Sequence, residues 1–317
     1  MADNPAGMAV ERPVTVYLPH EEAAGTSSLP VLYCLAPWTS AGRQQFDWQA
    51  FKESLWDRLD RLISKELMKP SIVVCPDLYT AFGGSQYINS SYLGRHADYI
   101  VDELIPYIEN RYPVAKGAAH RGVFGRSSGG FGALRLAMDY PGRFAAIACH
   151  SGDMGFETAF RKDLPDLCQA LFRYQGDVQR LLDDCWRAVK IGGREIHLLM
   201  LLGLAASYSP NLEKPEGFDL PVNWYDATII DEVWQQWLDH DPVVRVKSKD
   251  EALRQLKLLY MDCGNRDQYF LHFGARQMHD KLEKMGIKHR YEEFDDNHSG
   301  TAYRYDVSLP LLAEAIS

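Results

Sequence analysis

Seven short runs of apolar, largely β-branched residues alternate along the chain with longer amphipathic segments, and this alternation most constrains the fold. A strand buried on both faces reads as a continuous apolar run, while a helix covering it reads with a period near 3.6. Strands are predicted at 13–18, 30–35, 69–76, 120–125, 145–150, 256–261 and 289–294. Helices are predicted over 46–67, 92–112, 129–140, 269–285 and 303–316, with Pro310 kinking or restarting the last. The polar stretch 21–28 joins the first two strands. The pattern is that of an α/β fold with a mostly parallel central sheet flanked by helices.

Between 155 and 245 the alternation stops. Helical pieces at 159–174, 178–189, 194–206 and 227–238 follow one another with no convincing strand, which reads as a helical cap inserted over the sheet's edge. The expected division is a core in two parts, 1–154 and 246–317, around a cap at 155–245. At 317 residues the chain can bury such a core without staples. Four of the seven tryptophans, Trp186, Trp224, Trp234 and Trp237, lie in the cap. With Phe156, Phe160 and Phe172 they either pack it or line an acyl or aryl pocket.

Charge and cysteine usage narrow the partners. Lys and Arg number 34 against 43 Asp and Glu, a net charge of −9, so a phosphate backbone is not an expected ligand. No apolar run is long enough to span a membrane, and residues 1–10 do not read as a secretory signal. The six cysteines form no Cys-x-x-Cys pair and read as small core residues of a reduced, cytoplasmic protein without zinc. The chain is compatible with a homodimer.

The chemistry concentrates in Gly125-Arg126-Ser127-Ser128-Gly129, a Gly-x-Ser-x-Gly that follows an apolar strand and opens a helix. A serine at the tip of so sharp a turn needs residues without side chains two positions to either side. The turn lifts its hydroxyl above the helix N-terminus and aims the next amide, that of Ser128, at a developing oxyanion. Only Ser127 has glycine at both −2 and +2, so Ser127 and not Ser128 is the expected nucleophile.

A serine needs a base, and the base an orienting acid. Of ten histidines, His298 lies in a polar loop past the last strand, at the carboxyl end of the sheet where Ser127 also falls. His150, ending the strand after the turn, is its rival or a pocket wall. The acid is expected just past the strand at 256–261. Asp267, beyond Gly264, can turn toward a histidine loop, and Asp262 is the alternative. The order Ser127, Asp267, His298 suits this topology. Thr39, His150, Trp224 and Trp234 are candidates for the substrate pocket. Gly83-Gly84-Ser85 reads as a surface turn, and Glu292-Glu293 with Asp295-Asp296 as a solvated acidic face rather than a metal site.

Together these pieces resemble the α/β-hydrolase fold, and within it the esterase family that includes esterase D (S-formylglutathione hydrolase), enterochelin esterase and feruloyl esterase domains. The resemblance rests on Val14-Thr-Val-Tyr17-Leu-Pro19, Leu29-Pro30-Val-Leu-Tyr33, Pro76-Asp77, Glu103-Leu-Ile-Pro106, the serine turn, Tyr140-Pro141, Phe144, Gly264-x-x-Asp267 and His298. It covers about residues 12–155 and 254–315. It implies a Ser–His–Asp hydrolase, with Ser127, His298 and Asp267 in those roles, acting on short-chain or aryl esters with no cofactor or metal. An acyltransferase, an S-formylglutathione-type thioesterase and a non-catalytic binding protein are the alternatives.

One departure stands out. Where that family carries a His-Gly pair after the second strand, supplying the second oxyanion amide, this chain reads Leu35-Ala36-Pro37-Trp38-Thr39-Ser40. Pro37 has no N–H to give. Trp38 is the candidate donor and Thr39 the second choice. Because one such donor is worth about 10²–10³ in turnover, the departure bears on rate more than on reaction type.

Overall fold

The computed structural model of the protein describes residues 4–20 and 28–317, so residues 1–3 and nearly all of the expected joining loop, 21–27, lie outside the described residues. The seven expected strands form one sheet: β1 (Val14–Tyr17), β2 (Val31–Leu35), β3 (Ile72–Pro76), β4 (Arg121–Arg126), β5 (Ala146–His150), β6 (Leu258–Gly264) and β7 (Arg290–Phe294). Their spatial order is β1-β3-β2-β4-β5-β6-β7. Only β1 runs antiparallel to its neighbour; every other pairing is parallel. β2, β3 and β5 are buried at every residue because helices cover both faces, which is why they read as unbroken apolar runs. The edge strand β7, Arg-Tyr-Glu-Glu-Phe, is polar and partly exposed, which keeps an open edge from pairing with another strand.

The helices used below are α1 (Leu55–Ser64), α2 (Ile105–Arg111), α3 (Ser128–Asp139), α4 (Leu164–Phe172), α5 (Val178–Arg187), α6 (Gly193–Tyr208), α7 (Asp231–Leu238), α8 (Leu271–Lys284) and α9 (Tyr305–Ile316). Leu59 of α1 and Tyr305 and Leu309 of α9 cover one face of the sheet, in one apolar cluster with Tyr17, Leu32 and Phe124. On the other face Val31, Tyr33 and Ile147 share a core with Phe131, Leu134 and Ile108.

Several expected helices are shorter than predicted, each for a local reason. The helix expected over 46–67 starts only at Leu55, because the Ser54 hydroxyl caps it by accepting from the Asp57 amide at 3.1 Å. The stretch 92–112 is broken by a two-residue ribbon at Gly94–Arg95 and a π-helical turn, Tyr99–Leu104, before α2. The last helix is continuous through Pro310; the chain restarts earlier, at Tyr305, after the 3-10 turn Thr301–Arg304.

Residues 155–245 are mostly helical, and they share the apolar core of the sheet. Phe156, Leu171, Leu202 and Trp237 belong to the same apolar cluster as Val31 and Ile147. From Leu198 to Tyr208 every residue of α6 but Met200 is buried, so this stretch of the helix is apolar all round. The six cysteines are free and buried. Among the described residues no helix is long and apolar enough to cross a membrane.

Candidate active site

Register places the chemistry. Leu35 pairs with Gly125, Arg126 with His150, His150 with Asp262, and Gly264 with Phe294. The carboxyl ends of β2, β4, β5, β6 and β7 therefore share one edge, and the loops beyond them converge, the usual site position in a parallel sheet.

Ser127 sits between β4 and α3 with φ 56° and ψ −126°, a conformation that L residues avoid. Its amide donates to the His150 carbonyl at 2.9 Å, and its carbonyl accepts from the Phe131 amide at 2.9 Å, so both ends of the strained residue are tied down. The flanking glycines are obligatory. A Cβ on Gly129 would lie 2.0 Å from the Leu35 carbonyl oxygen, and one on Gly125 2.5 Å from the Gly129 backbone. Ser127 lines a cleft of about 780 Å³. Ser128, by contrast, has its hydroxyl buried without a partner among the described residues.

His298 and Asp267 meet across two loops. The His298 Nδ1–H donates to Asp267 Oδ2 at 2.7 Å, leaving Nε2 as the free nitrogen. Asp267 is buried, and its other oxygen accepts from the Tyr269 amide at 2.8 Å. The His298 amide donates to Gln268 Oε1 at 3.0 Å, and the Tyr269 ring stands edge-on to the imidazole, 4.9 Å away. Gly264 makes this approach possible, since a Cβ there would meet the Asp296 carbonyl at 2.4 Å. His298 and Ser127 face the same cleft.

The rival pair, His150 and Asp262, is bound to itself. Nδ1 of His150 lies 2.8 Å from Asp262 Oδ1, and Nε2 lies 2.8 Å from Ser308 Oγ on α9. This second Ser–His–Asp array is sealed in the core: His150 and Asp262 are each at most 2% exposed and Ser308 is fully buried. Burial would raise the Asp262 carboxyl, but His150 and Arg304 outweigh it and hold the group below its ordinary range. The expectation that His150 forms a pocket wall is therefore corrected. Its ring points away from the cleft, into the layer beneath α9.

The cleft's other walls come from the 37–55 loop, from Tyr269 and Tyr303, and from Ile196, His197 and Met200 of α6. Thr39 lines it, as expected; Trp224 and Trp234 do not. Trp224 packs over Gly176 and against Phe172, and Trp234 donates its Nε1–H to Glu157 at 2.8 Å. Both pack within residues 155–245, from which α6 reaches the cleft. Phe160 does line it, while Phe156 is core.

The turn after β2 is held from below. Gly83-Gly84-Ser85 is not a surface turn: Gly84 and Ser85 are buried, with Gly84 against the Trp38 indole. A Cβ on Gly84 would lie 2.6 Å from that ring, and one on Gly203 of α6 would lie 2.7 Å from it on another side. The Thr39 amide donates to the Gly83 carbonyl at 2.6 Å, which removes it as a free donor. Among the described residues, no acceptor pairs with the amide of Trp38 or of Ser128.

Sequence reasoning missed Asp153, a buried acid at the cleft. Asp153 lies three residues past β5 and is buried. Burial pushes its carboxyl up to about 6, against a 3.0 Å hydrogen bond from Gln86. Its place at the carboxyl edge of β5 was the available signal. In the acidic run, Glu292 pairs with Arg290 and Arg304, Glu293 with Arg276 and Asp295 with Arg266, while Asp296 accepts from the Tyr303 hydroxyl.

A protein family described as "Putative esterase" matches residues 6–310. Esterase MT1326 of Mycobacterium tuberculosis is 31% identical over 150 residues, 46% of this chain, and the match spans 30% of the relative's own length. A ferulic acid esterase superposes with a TM-score of 0.61 at 18% identity, covering 96% of this chain and 92% of its own. The S-formylglutathione hydrolase FrmB of Staphylococcus aureus does so with a TM-score of 0.58 at 16% identity, covering 96% and 93%. At these identities the structural likeness speaks for the fold.

Proposed function

The chain belongs to the "Putative esterase" family, and from that premise we propose that it hydrolyses carboxylic esters through an acyl-enzyme on Ser127. The observation that carries the reading is the 2.7 Å Asp267–His298 hydrogen bond opening onto the same cleft as the strained Ser127. With Nδ1–H engaged by Asp267, Nε2 of His298 is the free nitrogen that can take the serine proton. Ser127 Oγ attacks the ester carbonyl, and the amides of Ser128 and Trp38 receive the oxyanion. The tetrahedral adduct collapses as His298 returns its proton to the leaving alcohol. Water, deprotonated by His298, then attacks the acyl-serine and releases the acid. Asp267 holds the imidazole tautomer and balances its charge.

The substrate is a short-chain or aryl ester. A cleft of about 780 Å³ suits a small molecule, and its aromatic walls, Trp38, Phe160, Tyr269 and Tyr303, favour a flat acyl group. The names of the ferulic acid esterase and S-formylglutathione hydrolase neighbours point to aryl esters and thioesters as the first compounds to try. Hydrolysis of p-nitrophenyl esters from acetate to decanoate, by wild type and Ser127→Ala, tests the proposal. Short-chain activity that vanishes in the variant supports it; folded protein inactive on every ester overturns it.

A further inference from the structure

At the far end of the sheet from Ser127, two imidazoles and a carboxylate converge. His279 and Glu283 stand four residues apart on α8, hence on one helix face. The helix ends, the chain reverses through Gly286 at φ 62°, and His289 arrives just before β7. Its side chain is only 1% exposed. The His279 Nδ1 and His289 Nε2 atoms are 2.8 Å apart, and Glu283 Oε1 is 3.8 Å from the latter. All three donor atoms lie within 4.8 Å of one another.

We propose that His279, Glu283 and His289 form a binding site for a divalent transition-metal ion, zinc above all. The support beneath the donors is of the kind metal-ligating histidines use. His289 Nδ1–H donates to the Ile287 carbonyl at 2.8 Å, which fixes the tautomer and leaves its Nε2 lone pair facing the other two donors. His279 is steadied by stacking on Tyr291, with centroids 4.8 Å apart and planes at 26°. Donor atoms about 2.1 Å from a common zinc ion stand roughly 3.0–3.6 Å apart. Occupation therefore needs the imidazole nitrogens to part by a few tenths of an ångström and the exposed Glu283 to swing in. His279 exchanges its Nδ1 proton for one on Nε2, so no proton need leave the pair.

Donor chemistry selects the ion. Two imidazoles and one carboxylate suit zinc, cobalt, nickel or copper, whereas calcium and magnesium take oxygen ligands. Three protein ligands leave one position for water. The site lies at the amino end of β7, while His298 lies beyond its carboxyl end, so the ion fastens α8 to the edge strand and takes no part in the chemistry at Ser127.

The test is zinc chloride titrated into the metal-stripped full chain by calorimetry, repeated with Glu283→Gln and His279→Ala. Both positions are accessible enough to change without opening the core. Wild type should bind one zinc ion saturably and melt higher when loaded. Each variant should bind at least about tenfold more weakly, by analogy with the loss of a supporting ligand. Cobalt should give ligand-field bands in wild type that both variants lose. Absence of saturable binding, or equal affinity in the three proteins, overturns the proposal.

Discussion

Replacing Asp153 by Asn removes a buried carboxylate that the fold holds at a disadvantage. Burial is the main cause of its raised pKa; the Gln86 hydrogen bond and His298 oppose it, and Asp267 adds to it. Tyr208 and Tyr269 lie close by. Because the folded protein binds this proton more tightly than the unfolded chain does, stability falls as pH rises from about 4 and levels off above about 6. A carboxyl held at about 6 instead of its ordinary 3.8 costs the folded state about 3 kcal/mol at pH 8. The same linkage leaves only about 1 kcal/mol at pH 4.5. Asn keeps an oxygen to accept from Gln86 and carries no charge. In thermal unfolding followed by circular dichroism, Asp153→Asn should therefore melt about 4 °C above wild type at pH 8. Most of that gain should disappear at pH 4.5. An equal gain at both pH values, or a loss at pH 8, would refute the reasoning.

Asp262, inside β6, and Asp267, just past it, give opposite phenotypes. Asp267→Asn should lower kcat by about 10⁴ with little change in melting temperature, whereas Asp262→Asn should cost about 3–5 kcal/mol of stability by stranding the Arg304 guanidinium, whose Nε–H donates to Asp262 Oδ2 at 2.8 Å, while the folded fraction keeps its kcat. Ser127→Gly should abolish hydrolysis and raise stability by about 1 kcal/mol, since glycine adopts positive φ without strain; urea denaturation reads the gain, and a less stable variant would argue against strain at the turn. Gly129→Ala, with its new methyl 2.0 Å from the Leu35 carbonyl, should either fail to fold or fold without activity, as circular dichroism and ester turnover will show.

How far the sequence could be read depended on how local the causes were. The serine turn was legible because part of the constraint is local, Gly125 against Gly129 across the turn, although the β2 backbone at Leu35 tightens it further. Asp267 and His298 were legible because each follows a strand whose end the parallel register brings to the same edge. The tryptophans were not, because whether Trp224 or α6 reaches the cleft depends on how cap helices stack on a distant sheet face. The buried role of Gly83-Gly84 was hidden for the same reason: it exists only where the Trp38 ring, some 45 positions upstream, lies down on it. His150 and Asp262 looked like members of the site by position. Only the packing of α9, which brings Ser308 over them, shows that they point into the core.

The central claim is that Ser127, alone among the serines, is the nucleophile served by His298. Labelling with a fluorophosphonate probe, followed by digestion and mass spectrometry of the modified peptide, tests it most directly. The account predicts one adduct per chain, on Ser127, absent from Ser127→Ala and strongly slowed in His298→Ala. An adduct on Ser128 or Ser308, or unchanged labelling of folded Ser127→Ala, would contradict it.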